Sequence, residues 1–277
     1  VTQGNGGLIA FLVTLVLVLV NGLADALAQG SLFGLAGNMP SQYTQALASG
    51  ASLSGVVISL LRLITKGAMP QDNTGLRNSA FIYFIFAAFY IAFCICAYLY
   101  LHGLPVVRYY RHYGISAKNY RATRTDLKEM RNDAAVKGEK FEDVSGEKAA
   151  QNQELVFYKI WPFAIMLALV YTITLSIFPG AISEDVVSDT LEDWYPVLLI
   201  TTFNVFDFLG KLLPGIPMLV IKSIRALWIL TLLRLLFIPA FVLVSEGIIK
   251  SEAYAFILIA LLGTTNGYVS SIVFMAA

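Results

Sequence analysis

The chain alternates long apolar stretches with polar connections. Seven of the stretches are long enough to cross a hydrocarbon core, which takes roughly 20 helical residues. They cover residues 7–37, 45–64, 79–101, 157–178, 194–213, 226–244 and 252–275. Because backbone polar groups in a bilayer must bond within their own segment, each stretch is predicted to be an α-helix. The pattern therefore predicts an all-α integral membrane protein, with about seven spans in one bundle.

Composition agrees with a membrane protein. Of the 277 residues, 57% are hydrophobic and only 13% are charged, whereas roughly a quarter of a soluble domain is charged. Much of the charge falls in residues 102–156, between the third and fourth spans. That segment mixes both signs of charge and has few aromatic residues, so it is predicted to be a disordered loop.

The positive charges predict an orientation. More than half of the lysines and arginines lie in residues 102–156, which the positive-inside rule places in the cytoplasm. The acidic connection at 180–193 then lies outside, as does Val1, and Ala277 lies inside. Lys66 and Arg77 fall on the outer side and count against this orientation. Since the first residue is a valine close to an apolar span, we expect the sequence to be part of a longer chain.

Polar residues inside the spans are candidates for function, because a polar side chain in a membrane faces other helices or a cavity. In the first span Asn21, Asp25 and Gln29 recur every four residues and form one stripe. Gly30 and Gly34 follow, at a spacing that lets another helix approach closely. The stripe serves either a solute or hydrogen bonding between helices.

The fifth span carries a second stripe. Asn204, Asp207 and Lys211 lie on one face, and Asp207 precedes Lys211 by four residues, the favourable order for a helical ion pair. Such a pair either fixes helix packing or forms a polar platform for a hydroxyl-rich solute, since a carboxylate accepts several hydrogen bonds.

Three further spans carry polar residues. In the sixth, Arg234 precedes Pro239 by five residues and is expected to pair with an acid on another helix or with carbonyls freed by the proline. In the seventh, Asn266-Gly267 indicates close packing or local unwinding, and packing is favoured. One face of the second span carries Ser52, Gly55, Ser59 and Arg62.

Four segments, in order, resemble helices of the equilibrative nucleoside transporters. Residues 29–37 with Pro40, Tyr43 and Gly50 resemble the fourth helix of that family, and residues 203–211 resemble the eighth. Residues 233–239 resemble the ninth, and Asn266-Gly267-Tyr268 with two serines resembles the tenth. Residues 21–26 are similar to plant or algal members.

The resemblance implies a bundle of eleven helices, distantly related to the major facilitator fold, of which about seven are present. It also implies roles for single residues. Gln29 matches the glutamine that contacts the nucleobase, and Asp207 matches the aspartate that contacts ribose, with Asn204 beside it. Tyr171 matches a position that is aromatic in some relatives. Lys211 departs from the family's arginine, keeping the charge but losing the planar fork.

These observations predict a membrane carrier and not an enzyme. The expected solutes are nucleosides such as adenosine and uridine, with nucleobases as an alternative, moved by alternating access between polar groups near mid-membrane. Transport is either facilitated or coupled to protons, with Asp25 as the candidate proton site. The expected partners are these solutes, the lipid bilayer and, if coupled, protons. No cofactor, metal or nucleic acid is expected. The plasma membrane is the expected location, and a vacuolar or other internal membrane the alternative.

Three other functions fit part of the pattern. A seven-helix receptor fits the number of spans, but the position of the longest loop argues against it. A carrier of another small polar solute would use the same stripes. An intramembrane protease would need Asp25 and Asp207 on facing helices with a shared proton, and Lys211, one turn from Asp207, favours an ion pair instead.

Overall fold

The computed structural model describes residues 7–37, 39–69, 73–110, 144–180, 188, 190–249 and 251–276. Nearly all of these residues are helical, and no β-strand occurs among them. The longer helices are α1 (Leu8–Ala36), α2 (Ser41–Ala68), α3 (Asn73–Gly103), α4 (Val144–Ile177), α5 (Trp194–Leu212), α6 (Ile224–Leu233), α7 (Phe237–Ser245) and α8 (Glu252–Ala276). The predicted all-α fold is confirmed.

Seven helical segments in the described ranges are long and apolar enough to cross a membrane. They are Leu8–Ala36, Ser41–Ala68, Arg77–Gly103, Ile160–Ile177, Trp194–Gly215, Ile224–Ser245 and Glu252–Ala276. Each contains or overlaps one predicted span, and α6 and α7 together form the sixth. The segments form a multi-helix membrane bundle, as the apolar pattern predicts.

The structure differs from the prediction at the edges of the spans. α2 runs beyond the predicted 45–64 at both ends, and α3 begins six residues before the predicted 79–101. The largest difference is in α4, which already includes residues 144–156 of the predicted disordered loop. Eight of these thirteen residues are alanine, glutamine, glutamate, lysine or leucine, which favour helix even where charge is high. Residues 111–143 of that loop lie outside the described residues.

The sixth span is broken in its middle. α6 ends at Leu233, a 3₁₀ turn covers Arg234–Leu236, and α7 begins at Phe237. Pro239 explains the position of this turn. Its ring clashes with the carbonyl four residues earlier, at Leu235, and it has no N–H to bond that carbonyl. The tighter turn re-aims Arg234 without ending the span.

Helix α8 lies at the centre of the described bundle. One apolar cluster joins its first half to α5 and α7 through residues such as Ile259, Leu199 and Phe241. A second cluster joins its last half to α4 and α6 through residues such as Val269 and Met166. Because both halves are buried among other helices, and α4 contributes to both clusters through Ile177 and Met166, α8 is the central element of the described bundle.

Helices α5 and α8 cross with their backbones in contact. A Cβ added at Gly267 would overlap the carbonyl oxygen of Asp207, and one added at Gly263 would lie 2.7 Å from the carbonyl oxygen of Phe203. On α5, a Cβ at Gly210 would overlap the carbonyl oxygen of Thr264. Helix α8 is continuous through Asn266-Gly267, so close packing and not unwinding occurs there.

Helices α1 and α3 lie at the periphery and expose their apolar side chains. A close approach of another helix was expected at Gly30 and Gly34, but a Cβ added at either glycine would have no atom within 4 Å. α1 contacts its neighbours near its C-terminal end instead, where Phe33 stacks on Phe274 with ring centroids 4.4 Å apart.

Lys66, one of the two basic residues that oppose the predicted orientation, has a structural role. Its Nζ donates a hydrogen bond to the carbonyl oxygen of Asp193 and lies 5.4 Å from the centre of the Trp194 ring. These contacts tie the end of α2 to the start of α5. Lys66 therefore has a packing contact that is independent of the side of the membrane on which it lies, and the orientation stays a prediction.

Candidate functional site

Asp207 and Lys211 form a buried ion pair at the contact of α2, α5 and α8. Lys211 Nζ lies 3.1 Å from Asp207 Oδ2, one helical turn apart, as their spacing in the sequence predicts. Asp207 is 6% exposed and Lys211 8%. Removing two charges from water is costly unless each finds good partners, so the surroundings of the pair decide whether it is stable.

The Asp207 carboxylate receives donors from two other helices. Ser52 Oγ on α2 donates to Oδ2 at 2.5 Å, and Asn266 Nδ2 on α8 donates to Oδ1 at 2.7 Å. Lys211 Nζ also donates to Ser52 Oγ. The carboxylate, the ammonium group and one hydroxyl therefore form a closed set of contacts.

Ser52 is a member of this site that the sequence did not single out as a binding residue. Its signal was its place on the polar face of α2 with Ser59 and Arg62, but the spacing does not say which helix that face meets. In the structure the face meets α5, and Ser52 is buried between the two charges.

Arg234 extends the network to α4 and α8. It is 1% exposed, and its Nη2 donates to Thr174 Oγ1 at 2.5 Å and to Asn266 Oδ1 at 3.3 Å. Its Nη1 donates to Thr265 Oγ1 at 2.9 Å. Arg234 was expected to pair with an acid or with a carbonyl freed by Pro239. In the described part of the chain its partners are hydroxyl and amide oxygens instead. The 3₁₀ turn before Pro239 brings its side chain to them.

Asn266 connects the two halves of the network. Its Oδ1 accepts from Arg234 and from Thr174, and its Nδ2 donates to Asp207. The amide can satisfy both sides in only one orientation, because one end accepts and the other donates. Arg234 therefore helps to orient the Asn266 amide that holds Asp207.

Asn204 lies one turn before Asp207, beside a cavity. Its Nδ2 donates to Ser59 Oγ at 2.6 Å, and its Oδ1 faces Gly55, where a Cβ would lie 3.1 Å away. The cavity has a volume of about 600 Å³ and lies between α2, α3 and α5. Its polar lining residues are Ser59, Arg62, Ser79, Tyr83, Thr201 and Asn204. Asn204 thus adjoins both the ion pair and open volume.

Tyr171 is half-buried on α4. It precedes Thr174 by three residues, so the two share one side of the helix. Since Thr174 contacts both Arg234 and Asn266, Tyr171 lies on the side of α4 that faces the network.

Gln29 and Asp25 are not brought to this network in the described structure. Both are exposed on α1, where Gln29 Nε2 donates to Asp25 Oδ2 at 3.0 Å. Two of the three residues of the α1 stripe are thus bonded to each other. The structure joins Asp207, Lys211, Arg234 and Asn266 in one network and places Asn204 one turn from Asp207, bonded to Ser59. It leaves the α1 pair apart.

The C-terminal end of α5 is held by side chains of α2. Gln45 Nε2 donates to the carbonyl oxygens of Lys211 and Leu212 at 3.1 and 3.3 Å, and Ser49 Oγ donates to that of Lys211 at 3.2 Å. The last carbonyls of a helix have no partner within it and need such donors when buried. Side chains therefore join α2 to α5, in contrast to the backbone contact between α5 and α8.

Comparisons with a family model and with curated proteins point to the same family. The family model described as "Nucleoside transporter" matches residues 14–277. "Equilibrative nucleotide transporter 1" of Arabidopsis thaliana is 39% identical over 99% of this chain and 58% of its own length. "Equilibrative nucleotide transporter 8" of the same plant is 35% identical over 94% of the chain and 59% of its length, and "Equilibrative nucleotide transporter 2" is 34% identical over 100% and 66%.

The match covers nearly all of the chain, whereas the chain spans about 60% of the length of these relatives. The relatives are named as transporters, which agrees with the prediction of a carrier and not an enzyme. The match extends over both polar stripes and the buried network around Asp207. The chain belongs to the nucleoside transporter family.

Proposed function

We propose that the whole protein is a carrier that moves nucleosides across a membrane by alternating access. The observation that carries this proposal is the buried pair of Asp207 and Lys211, which lies within spanning helices where α2 meets α5 and α8. An ionisable pair inside a membrane protein is expensive, and it is therefore a candidate for solute binding. Family membership supports the transporter class.

The pair suits a ribose. Its carboxylate accepts hydrogen bonds from adjacent hydroxyls, and its ammonium group donates to a hydroxyl oxygen. Asn204, beside the 600 Å³ cavity, adds an amide that both donates and accepts. We assign Asp207, Lys211 and Asn204 to the sugar and Tyr171 to an aromatic wall of the site.

Gln29 is proposed to contact the nucleobase. An amide side chain can both donate to and accept from the edge of a base. In the structure Gln29 donates to Asp25 on the exposed stripe of α1. Its assignment to the base therefore requires that α1 faces the solute in the complete protein.

Transport is proposed to be either facilitated or coupled to protons. Asp25 is the candidate proton site, because it is an intramembrane acid that is not part of the Asp207 network. We place the protein in the plasma membrane, with an internal membrane as the alternative. The relatives are named nucleotide transporters, so nucleotides and nucleobases belong among the competitors in any assay.

Uptake of labelled adenosine and uridine by the full-length protein in proteoliposomes tests the proposal. We expect saturable uptake that excess unlabelled nucleoside abolishes. Asp207→Ala should reduce uptake at least tenfold, because the solute loses roughly one hydrogen bond to a charged group or more. Lys222→Ala, an exposed basic position, is the control and is expected to retain uptake. Folded protein that takes up another small polar solute but no nucleoside would overturn the proposal.

A proton gradient and Asp25→Asn address coupling in the same vesicles. If transport is proton-coupled, an inward proton gradient raises uptake by the wild type, and Asp25→Asn loses that response while keeping gradient-free exchange. Uptake that is indifferent to the gradient would assign the protein to facilitated transport.

A further inference from the structure

The hydroxyl of Ser52 lies where a solute hydroxyl would bind the ion pair. Ser52 Oγ donates to Asp207 Oδ2 at 2.5 Å and accepts a hydrogen bond from Lys211 Nζ. A sugar hydroxyl is likewise a donor and an acceptor at once, and it would make the same two bonds. The protein therefore supplies from α2 the chemical group that the proposed solute would bring.

No solute can use this position in the described conformation. Ser52 is 7% exposed, and Asp207 and Lys211 are similarly buried. The other carboxylate oxygen of Asp207 accepts from Asn266. A solute hydroxyl can reach Oδ2 and the ammonium group only after the Ser52 hydroxyl has withdrawn.

The contacts between helices indicate which element withdraws. α5 and α8 touch backbone to backbone at Gly210, Gly263 and Gly267 and are packed there without a gap. α2 is joined to α5 near the pair by side-chain hydrogen bonds from Gln45, Ser49, Ser52 and Ser59. Such bonds can be exchanged one by one for bonds to a solute, which favours α2 over α8 as the element that moves.

We infer that Ser52 is a built-in competitor of the solute, which occupies the hydroxyl position on Asp207 and Lys211 when the site is closed and gives it up when a nucleoside binds. The inference rests on the proposed function. The Ser52 hydroxyl occupies the binding site only while the site is empty. When the solute binds, the hydroxyl withdraws and makes no contact with the solute.

This exchange makes a specific prediction about affinity. The measured affinity of a solute is lowered by the fraction of protein whose site is closed. Removing the competing hydroxyl should therefore strengthen nucleoside binding, whereas removing a group that contacts the solute weakens it. The sign of the change separates the two roles.

The experiment is titration of the purified full-length protein with adenosine, comparing the wild type with Ser52→Ala. We expect the dissociation constant to fall by about three- to tenfold, the net value of one ordinary hydrogen bond. Ser54→Ala is the matched control on the same helix, because the Ser54 hydroxyl bonds the carbonyl oxygen of Ala51 within α2, and it should leave the dissociation constant unchanged. Ser52→Thr keeps the hydroxyl and should bind as the wild type does.

Ser52→Cys guards against a folding defect in the alanine variant, since its weak S–H donor should give a smaller rise in affinity. Unchanged or weaker adenosine binding by folded Ser52→Ala or Ser52→Cys, with binding by the wild type intact, would overturn the inference and leave the proposed function standing. A folded wild type that binds no nucleoside would overturn both.

Discussion

Asp207 depends on neighbours from three helices. Lys211 on its own helix supplies the opposite charge, Ser52 on α2 supplies a hydroxyl, and Asn266 on α8 supplies an amide. Each partner compensates part of the cost of burying the carboxylate, so the loss of one partner leaves a charge that the others cannot fully stabilise.

Replacing Lys211 with methionine should destabilise the protein. The change leaves the Asp207 carboxylate buried without its counter-charge, and we expect the free energy of unfolding to fall by about 3–5 kcal/mol. Thermal unfolding of the purified full-length protein in detergent measures the effect. Lys222→Met, at an exposed position, should stay within about 0.5 kcal/mol of the wild type.

The double variant Asp207→Asn with Lys211→Met separates charge from shape. It removes both charges while keeping side chains of similar size, and it should recover part of the stability that Lys211→Met loses. If the single and double variants were equally unstable, packing and not charge would account for the loss.

At these residues the sequence predicts pairs within a helix and not pairs between helices. Asp207 and Lys211 are four residues apart, and helix geometry alone brings them together. Ser52 and Asp207 are 155 residues apart, and no periodicity relates them. Arg234 illustrates the same limit, since its burial was predictable but its hydroxyl and amide partners on α4 and α8 were not.

At the scale of the helix, two pairs of glycines with the same spacing behave differently. Gly263 and Gly267 let α8 touch the backbone of α5, whereas a Cβ added at Gly30 or Gly34 would have no atom within 4 Å. The sequence motif is the same in both, and only the neighbouring helix decides whether it is used. The close crossing of α5 and α8 places Asn266 level with Asp207 along the two helices.

Adding a methyl group at Gly267 should therefore be far more harmful than adding one at Gly50. A Cβ at Gly267 would overlap the carbonyl oxygen of Asp207 and lie 2.9 Å from the nitrogen of Lys211, whereas one at Gly50 meets nothing within 4 Å. We expect Gly267→Ala to cost about 1–3 kcal/mol by forcing the backbones apart. Gly50→Ala should be neutral or stabilise α2 by up to about 1 kcal/mol.

Thermal unfolding and nucleoside uptake should both separate the two glycine variants. Loss of uptake in Gly267→Ala is expected because Asn266 and Asp207 would no longer meet at 2.7 Å. Equal behaviour of Gly267→Ala and Gly50→Ala would contradict the close crossing of α5 and α8.

At the scale of the molecule, the sequence predicted the class of protein better than its internal boundaries. Long apolar segments are a strong signal, because an unbonded backbone group in lipid is costly, and all seven spans are present. The start of α4 was missed, since a charged segment can be helical as well as disordered. The separation of Gln29 from Asp207 was also not predictable, because residue roles taken from a resemblance carry no distances.

The whole molecule is proposed to bind a nucleoside with Asp207 against the ribose. Uptake of adenosine and 2′,3′-dideoxyadenosine by the full-length wild type and by Asp207→Asn tests this claim most directly. We predict that the wild type prefers adenosine by roughly tenfold or more, as expected when at least one hydrogen bond to a charged group is lost, and that Asp207→Asn loses most of this preference. If Asp207→Asn takes up nucleosides and retains the wild type's full preference for adenosine over 2′,3′-dideoxyadenosine, Asp207 does not bind the ribose hydroxyls and the account is contradicted.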